Sequence, residues 1–547
     1  MLRFLSVFFS VVIVFQSRRN KSIALLASLG LSAIALMLYL PRVLSALATD
    51  EGSVVEQKLL ADVAAERNRI ENKTGERLAA KPVNQSTEDQ PAGEIDPNQS
   101  AAEDSAPIGQ PAPPRPGGSF VELDKLLEPK REEPKLRPIP EKMKQTIAPH
   151  KHPLDSRRIT PGNFEYRGAF RLPQVEYTHK SRFAFGGFCL AFREGGDPDG
   201  PDDGYPGSLF TVGHDQHQFV AEISIPKPRY LVDKRGFNLL PAKILQDFSD
   251  VSDGFIESES AGTEPFKIGG LYVAGDRLHW TLYKFYNVNG TRYDSHATSS
   301  LNIATPKPEG LWHLGDMHGG AAEWHSYKNA GYIFDVPPER VDDLGGLNLI
   351  SGLQISTGRQ TSSQGPAMYA YKLPARGTAS GSSLEALPLI FYPLGGGEMT
   401  GHNPADHWRG GAWLKVGRKE GIVIVGRKSL GEEYYGPARQ RDCTVDKGYH
   451  GSPYEPHMLF YDVNEVFSVA NAKKRPWMVE PYLRWGRDTP GGSLKEYLFD
   501  TCHGRVTGLA LDRKRQLLYL IQYAAAIVDL ADPEKYPVVH VFKLKDV

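Results

Sequence analysis

The chain has 547 residues with 64 basic and 65 acidic side chains, which gives a formal net charge of −1. Nucleic-acid-binding proteins usually carry a basic surface, so this balance argues against nucleic acid as a partner. Hydrophobic residues make up 40% of the chain and charged residues 24%, as in ordinary soluble domains. The three cysteines have no CxxC spacing, which excludes a disulfide-rich scaffold and thioredoxin-like redox chemistry.

Residues 1–48 predict a membrane anchor or a signal segment. Residues 22–40 form an uncharged apolar run of about 19 residues, close to the length that a helix needs to cross a bilayer. Arg18, Arg19 and Lys21 precede this run, so the preference of positive charge for the cytoplasmic side predicts that the rest of the chain is exported. We therefore expect a signal-anchor in the inner membrane with the main domain in the periplasm or at the cell surface. The alternative is secretion after cleavage near Ala48.

Two segments of different composition follow the apolar run. Residues 49–80 predict a helix-prone stalk, because Val55, Leu59, Val63 and Ile70 fall roughly on one face. Residues 81–158 are rich in Pro, Glu, Gln, Ser and Lys and cannot bury enough apolar surface to offset the entropy of ordering. We expect this second segment to be a disordered tether that carries a folded domain at residues 159–547.

The folded domain shows a four-strand pattern that occurs five times. Five similar strands, FVAEISIP, SSLNIATP, AMYAYKLP, MLFYDV and VHVFKL, end 68 to 89 residues apart. Each follows a Gly-led strand, a turn and an apolar strand; in the third unit these are residues 319–324 and 331–336 around SYKN. Repeated four-stranded units predict an all-β fold, a β-propeller with five blades. A pair of β-sandwiches is the alternative, which the fivefold order disfavours.

The connections of the predicted propeller differ between its two ends. The turn after each Gly-led strand is mostly a short hairpin, whereas the connections at the opposite end are long and rich in polar residues. Long loops on a rigid scaffold usually carry binding or catalysis. The residues expected to line the channel mouth at this end, and so to bind a ligand, are His214, Asp215, Asp316, His318, His407, Trp408, Arg409, Asp446, Lys447, Tyr449, His450, His503 and Arg505.

The loop CTVDKGYHGSPYEPH, residues 443–457, is predicted to form one wall of this pocket. Asp446 and Lys447 would contact a polar ligand, Tyr449 would offer a stacking face, and His450 would be the titrating group. The alternative is a loop whose polar groups face only water.

Several chemistries are open at such a mouth. Glycoside hydrolysis needs two carboxylates on either side of one bond, and the best-placed ones are Asp215, Asp316 and Asp446, with Glu398 and Glu432 behind them. No motif pairs any two of these. His214 with Asp215, and Asp316 with His318, would also suit a divalent metal such as zinc. The acidic turn DPDGPDDG, residues 197–204, resembles a calcium loop but departs from the EF-hand spacing, and a solvated turn is the alternative.

The cysteines predict structure rather than catalysis. Cys443 and Cys502 lie in loops of adjacent units at the same end, so in an exported protein they are candidates for a disulfide. Cys189 lies inside an apolar strand and is expected to be a small core residue.

The stretches GHDQHQFVAEISIP, DHWRGGAWL, DKGYHGSPYEPHMLFYD and PVVHVFKL resemble a family of uncharacterised exported bacterial propeller proteins. This resemblance covers residues 164–547 and implies the fold and export, but no reaction. The architecture is also similar to five-bladed propellers that act on or bind carbohydrates, which is an analogy at the level of the fold.

Two functional hypotheses follow. The first is a membrane-tethered binding propeller that recognises a polar ligand, either a glycan or a protein partner. The second is a glycoside hydrolase or lyase that uses paired carboxylates, with or without a divalent metal. Because no acid/base pair is recognisable, the sequence favours binding and leaves catalysis open.

Overall fold

The structure is a computed structural model, and the chain falls into two units, Met1–Gly118 and Ser119–Val547. It describes residues 9–16, 22–29 and 157–547, apart from 176–178, 233–234, 261–263, 288–289, 356–360, 440–442, 444–446, 487–491, 503 and 528–533. In the first unit, Phe9–Gln16 pairs antiparallel with Ser22–Leu29. The stalk, almost all of the linker and the rest of the apolar segment lie outside the described residues, so the anchor stays a prediction. No helix in the described part of the chain is long and apolar enough to cross a membrane.

The second unit is an all-β propeller with five blades, which confirms the predicted fold. From innermost to outermost strand, the blades are blade 1, Phe188–Arg193, Ser208–Val212, Val220–Ser224 and Ile244–Ser249; blade 2, Phe266–Ala274, Arg277–Lys284, His296–Ser300 and Glu309–Leu314; blade 3, Tyr332–Asp335, Leu349–Gly352, Met368–Tyr371 and Ala386–Ile390; blade 4, His407–Val416, Lys419–Ser429, Tyr454–Tyr461 and Leu483–Trp485; blade 5, Val506–Asp512, Leu517–Ile527, Lys535–Leu544 and Phe164–Arg171.

The blades are offset by one strand from the units read in the sequence. The first strand of each unit is the outermost strand of the preceding blade rather than part of its own sheet. The ring closes because Phe164–Arg171, at the start of the domain, pairs antiparallel with Lys535–Leu544 at its end. Hydrogen bonds between the two ends of the domain therefore hold the last blade together.

Blade 3 corrects the strand assignment of the third unit. Residues 319–324 do not form its inner strand, because Ala322–Trp324 is a 3-10 helix and Ser326–Asn329 a short α-helix. The inner strand is Tyr332–Asp335, and the second strand, Leu349–Gly352, lies within what the sequence indicated as a long loop. The short, turn-like segment SYKN therefore leads into the blade instead of joining two of its strands.

Hydrophobic clusters fill the spaces between neighbouring blades. In the second strand of blade 4, Ile422 and Ile424 pack in the cluster shared with blade 3, whereas Val423 and Val425 pack in the cluster shared with blade 5. Successive side chains of a strand point to opposite faces, so a strand that is covered on both faces must be apolar throughout. This explains the continuous run GIVIV, and each such buried side chain contributes about 1.5–3 kcal/mol to stability.

Glycines let the inner strands approach one another near the axis. A Cβ atom on Gly410 of blade 4 would lie 2.8 Å from the backbone nitrogen of Leu509 in blade 5. A Cβ atom on Gly270 of blade 2 would lie 2.3 Å from the carbonyl oxygen of Gly331, beside blade 3. The Gly-led strands of the sequence therefore reflect crowding between blades, as predicted.

The remaining elements decorate the ring. The α-helices are Phe255–Ser260, Ser326–Asn329 and Val463–Ala470. The 3-10 helices are Pro161–Asn163, Ala322–Trp324, Pro338–Arg340, Asp342–Leu344, Pro476–Met478 and Leu494–Tyr497. Short strands add to the blades or form a separate hairpin: Arg157–Arg158 beside blade 4, Ser383–Leu384 beside the outer strand of blade 2, and Tyr434–Gly436 with Gly448–His450.

Candidate functional site

Three arginines gather where the long connections meet, and we call Arg409, Arg427 and Arg505 the arginine cluster. Arg409 lies at the start of the inner strand of blade 4, and Arg427 lies at the end of the second strand of that blade. Arg505 directly precedes the inner strand of blade 5. In an antiparallel blade the start of the inner strand and the end of the second strand share one end, so the three side chains lie at the predicted loop-rich end.

Arg409 reaches across the ring to blade 2. One of its Nη atoms, Nη2, donates a hydrogen bond of 2.6 Å to the hydroxyl of Tyr283, in the second strand of blade 2. Its guanidinium carbon lies 4.8 Å from the centroid of the Tyr283 ring, a cation–π distance. Blades 2 and 4 are not neighbours, so this contact closes the channel at the loop-rich end. The other nitrogen, Nη1, is buried and has no hydrogen-bond partner among the described residues.

Arg427 is the most buried member of the cluster, with 2% of its surface exposed. Its guanidinium lies 4.2 Å from the centroid of the Tyr454 ring, and Nη2 lies 3.3 Å from Nε2 of His407. Nε and Nη1 are buried, and no described residue supplies an acceptor to them. Burial and the positive charge of Arg505 lower the pKa of Arg427 to about 9, so the group is still charged at neutral pH.

The positive charge of the cluster keeps its histidine neutral. Burial lowers the pKa of His407 well below its usual value, and the charges of Arg427, Arg505 and Arg409 lower it further. A neutral imidazole can accept the hydrogen bond from Arg427 at Nε2. His407 therefore orients Arg427 and adds no charge to the site.

The carboxylates that act on the cluster are already paired with lysines. Asp215, at the end of the second strand of blade 1, forms an ion pair with Lys267 of blade 2. Asp406 is fully buried and accepts two hydrogen bonds from Lys428, of 2.9 and 3.0 Å. The three arginines thus carry positive charge that these two carboxylates do not balance.

Residues 430–453, which we call the blade-4 loop, extend across this end of the propeller. The disulfide between Cys443 and Cys502, with Cα atoms 5.5 Å apart, attaches the loop to the connection that leads into blade 5. On the other side, the hydroxyl of Tyr286 donates a hydrogen bond to the carbonyl oxygen of Lys447. Tyr286 lies three residues after Tyr283, so the loop reaches the part of blade 2 that Arg409 also contacts. The loop is therefore held from both sides of the cluster.

The blade-4 loop presents aromatic faces to solvent. Half of the surface of Tyr435 is exposed (51%), and its ring lies 5.0 Å from that of Tyr449 in an edge-to-face arrangement. The ammonium group of Lys447 lies 5.9 Å from the centroid of the Tyr435 ring. Aromatic faces beside a lysine form a surface with both apolar and polar character.

Two predicted site residues have structural positions instead. Trp408 is fully buried in the cluster between blades 3 and 4, because neighbours along a strand point to opposite sides and Arg409 takes the channel side. His450 is 3% exposed, with Nε2 3.1 Å from the carbonyl oxygen of Gly436 and its ring stacked on Tyr434. These two side chains stabilise the core and the loop hairpin.

The predicted metal convergence of His214, Asp215, Asp316 and His318 is not found. His214 packs against His217, with ring centroids 5.1 Å apart, and Asp215 pairs with lysine. Asp316 and His318 follow the outer strand of blade 2, far along the chain from the inner strand of blade 3 that begins at residue 332. The error comes from the misassigned strand of the third unit.

The acidic turn at residues 197–204 forms no group of three converging ligands, and among the described residues one such group exists elsewhere, namely Asp294, His313 and His318. Asp446 and His503 lie outside the described residues, so their roles stay predictions.

Sequence reasoning placed Arg427 at the right end but did not identify its importance, and it missed Tyr283 and Asp406. The signal for Asp406 is its place directly before an inner strand, in PADHWRGG. Nothing in the sequence pointed to Tyr283, which lies 126 residues from Arg409.

A cavity of about 700 Å³ opens at the other end of the channel. Its lining includes Arg193, Tyr272, Asp335 and Arg513, together with apolar residues of the inner strands. Its charges are matched, since Arg513 pairs with Asp335 at 2.8 Å and Arg193 pairs with Glu222 at 3.1 Å. The cavity is large, but its charged groups are already satisfied, so the arginine cluster is the stronger candidate for binding.

Lys328 supplies a pH-dependent contribution to stability. It is 4% exposed, and its ammonium nitrogen donates to the carbonyl oxygen of Thr361. Burial, and next the charge of Arg292, lower its pKa from 10.5 to about 7. Between these values the unfolded chain binds the proton and the folded chain does not, so the free energy of unfolding rises with pH across this window.

We therefore expect Lys328→Met to stabilise the protein below pH 7, on the order of a few kcal/mol, and to flatten the rise between about pH 7 and 10. Urea unfolding at several pH values measures this. Lys473→Met, at an exposed lysine, is the control and should leave the profile unchanged. Parallel profiles for wild type and Lys328→Met would contradict the prediction.

Comparison with known proteins shows similarity of fold alone. No family model and no curated protein matches the chain, so the resemblance to an exported family stays a prediction. The chain is similar to the PQQ-bound aldose sugar dehydrogenase of Streptomyces coelicolor, at 10% identity over 68% of this chain and 97% of that one, with a TM-score of 0.23. It is also similar to a protein of unknown function from Dyadobacter fermentans, at 7% identity over 71% and 100%, with a TM-score of 0.28. At these scores neither similarity bears on activity, ligand or cofactor.

Proposed function

We propose that the propeller is a binding protein for an acidic oligosaccharide, whose carboxylate groups are held by the arginine cluster beneath the blade-4 loop. The observation that carries this proposal is the set of buried guanidinium nitrogens on Arg409 and Arg427 that no described residue satisfies.

Buried polar groups in proteins are nearly always hydrogen-bonded, because an unmade bond costs the desolvation of the donor. The guanidinium group presents its donors in a planar fork that matches a carboxylate, often with two parallel hydrogen bonds. An anion at this position would supply the acceptors and would also reduce the repulsion among the three arginines.

The surroundings favour a sugar over a bare inorganic anion. Tyr435 and Tyr449 offer aromatic faces on the blade-4 loop, and Lys447 adds a further donor. Rings of this kind can pack against the apolar face of a sugar, while the lysine contacts a hydroxyl or carboxylate.

Binding is favoured over hydrolysis by the state of the nearby carboxylates. A glycosidase needs one carboxyl group that is protonated and a second one that is ionised and accessible. Asp215 and Asp406 are both committed to ion pairs with lysines, so neither is placed to donate or accept a proton.

The propeller is proposed to act outside the cytoplasm, held at the inner membrane by its N-terminal segment. The disulfide between Cys443 and Cys502 supports this location, because disulfides persist mainly in oxidising compartments.

Calorimetric titration of the full chain tests the proposal, with an oligogalacturonate and its methyl ester as matched ligands. Because a hydrogen bond to a charged group is worth about 1.5–3 kcal/mol, we expect the acid to bind about 10–100 times more tightly than the ester. Arg427→Gln should remove that difference, and added salt should weaken binding of the acid.

Arg475→Gln, at an exposed arginine, is the control and should bind as wild type. Equal affinity for acid and ester would refute a carboxylate site. Failure of both ligands to bind would favour a protein partner over a sugar. An Asp446→Ala variant in the same titration tests the predicted contribution of that residue.

A further inference from the structure

We propose that Asp294, His313 and His318 form a zinc site at the outer edge of blade 2. Asp294 precedes the third strand of the blade, His313 lies in the outer strand, and His318 follows that strand. Their ligand atoms lie within 4.8 Å of one another. The proposal is independent of sugar binding at the arginine cluster.

The distances suit a tetrahedral metal. Asp294 Oδ1 and His318 Nε2 are 3.4 Å apart, and two ligands on a tetrahedral zinc with bonds of about 2.0–2.1 Å lie about 3.3–3.4 Å apart. His313 Nδ1 lies 2.7 Å from Asp294 Oδ1, which is a hydrogen bond. A zinc ion that binds both atoms takes the place of the bridging proton, so binding releases a proton to solvent.

The three side chains are held in place by their surroundings. His313 is buried, and its ring lies edge-to-face with that of His318 at 4.4 Å between centroids. Arg292, two residues before Asp294, donates hydrogen bonds of 2.9, 2.8 and 3.0 Å to the carbonyl oxygens of Met317, Gly320 and Ala321. The segment that carries His318 is therefore fixed relative to Asp294 without a metal, as a preorganised site requires.

The ligand set selects the metal. Two imidazoles and one carboxylate suit zinc, whereas calcium prefers six to eight oxygen ligands. A Cβ atom on Gly381 would lie 3.9 Å from Asp294 Oδ2 and near no other atom, so there is room on this side of the carboxylate. Three protein ligands leave the fourth position of zinc to water or to an added ligand.

Zinc titration of the full chain, untagged and first stripped with EDTA, tests the proposal by calorimetry and by metal analysis after dialysis. We expect one zinc per chain with release of a proton. His318→Ala should weaken binding by more than about 100-fold, since even the partners of metal ligands contribute about 10–100-fold.

His179→Ala is the matched control, because His179 pairs with Asp247 at 2.7 Å but belongs to no group of three ligands in the described part of the chain. His318 is exposed, so its variant should melt at the wild-type temperature without metal. Wild-type affinity in His318→Ala, or no zinc retained by wild type, would overturn the proposal. Preference for calcium over zinc would also overturn it.

Discussion

Arg427→Met is expected to make the ligand-free protein more stable while it abolishes binding of the acidic sugar. The guanidinium is 2% exposed, and burial together with the charge of Arg505 lowers its pKa to about 9, so the charged form is destabilised by folding. Replacing buried charged groups by apolar side chains of similar volume often stabilises a protein by about 1–4 kcal/mol. We expect a gain in that range, because methionine also keeps the contact with the Tyr454 ring.

Urea unfolding of both proteins, with and without oligogalacturonate, measures this effect. Ligand at about 100 times its dissociation constant adds about 2.7 kcal/mol to wild type alone, so the difference between the two proteins should shrink or reverse when the sugar is present. Arg475→Met should change neither quantity by more than about 0.5 kcal/mol. A loss of stability in ligand-free Arg427→Met would mean that the guanidinium is satisfied within the protein, which contradicts the proposed site.

Removal of the disulfide is expected to lower both stability and affinity. Cys443 and Cys502 are separated by 59 residues, and a bridge that closes a loop of this length contributes about 2–4 kcal/mol. The bridge also attaches the blade-4 loop on one side of the arginine cluster. In Cys443→Ser/Cys502→Ser the loop keeps its contact with Tyr286 alone among the two attachments, so sugar affinity should fall by about tenfold, mainly through faster dissociation.

Denaturant midpoints and binding kinetics of the double variant measure these two effects, and reduced wild type should behave in the same way. Thiol counting gives a direct check, since the chain has three cysteines and Cys189 is a free, buried thiol. The non-reduced, denatured wild type should show one thiol. Three thiols would show that the bridge does not form, and unchanged affinity in the double variant would remove the loop from the binding model.

Local patterns were sufficient for the general architecture. The strands GIVIV and QLLYLI are apolar at every position, and this pattern alone predicted sheets covered on both faces. Long connections at one end indicated where polar groups would gather, and Arg409 and Arg505 are there. Cys443 and Cys502 could be paired because both fall in loops at that end. These features depend on residues that are near one another in the chain or on a repeat that the chain displays five times.

The site could not be predicted to the same depth. A residue at the channel mouth can point into the channel or between two blades, and a shift of one position decides which, as Arg409 and Trp408 show. The same kind of ambiguity affected the third unit, where a short helix was read as part of a hairpin and Asp316 and His318 were placed at the wrong radius.

By itself the sequence determined that the domain is an all-β propeller with five blades and that one end carries the chemically rich loops. The tertiary structure decided the offset of the blades, the closure of the ring by Phe164–Arg171, the arginine cluster and the Asp294, His313 and His318 group. The physical reason is that burial alternates along each strand and is visible locally. Contacts such as that between Arg409 and Tyr283, 126 residues apart, depend on how the blades are arranged around the axis.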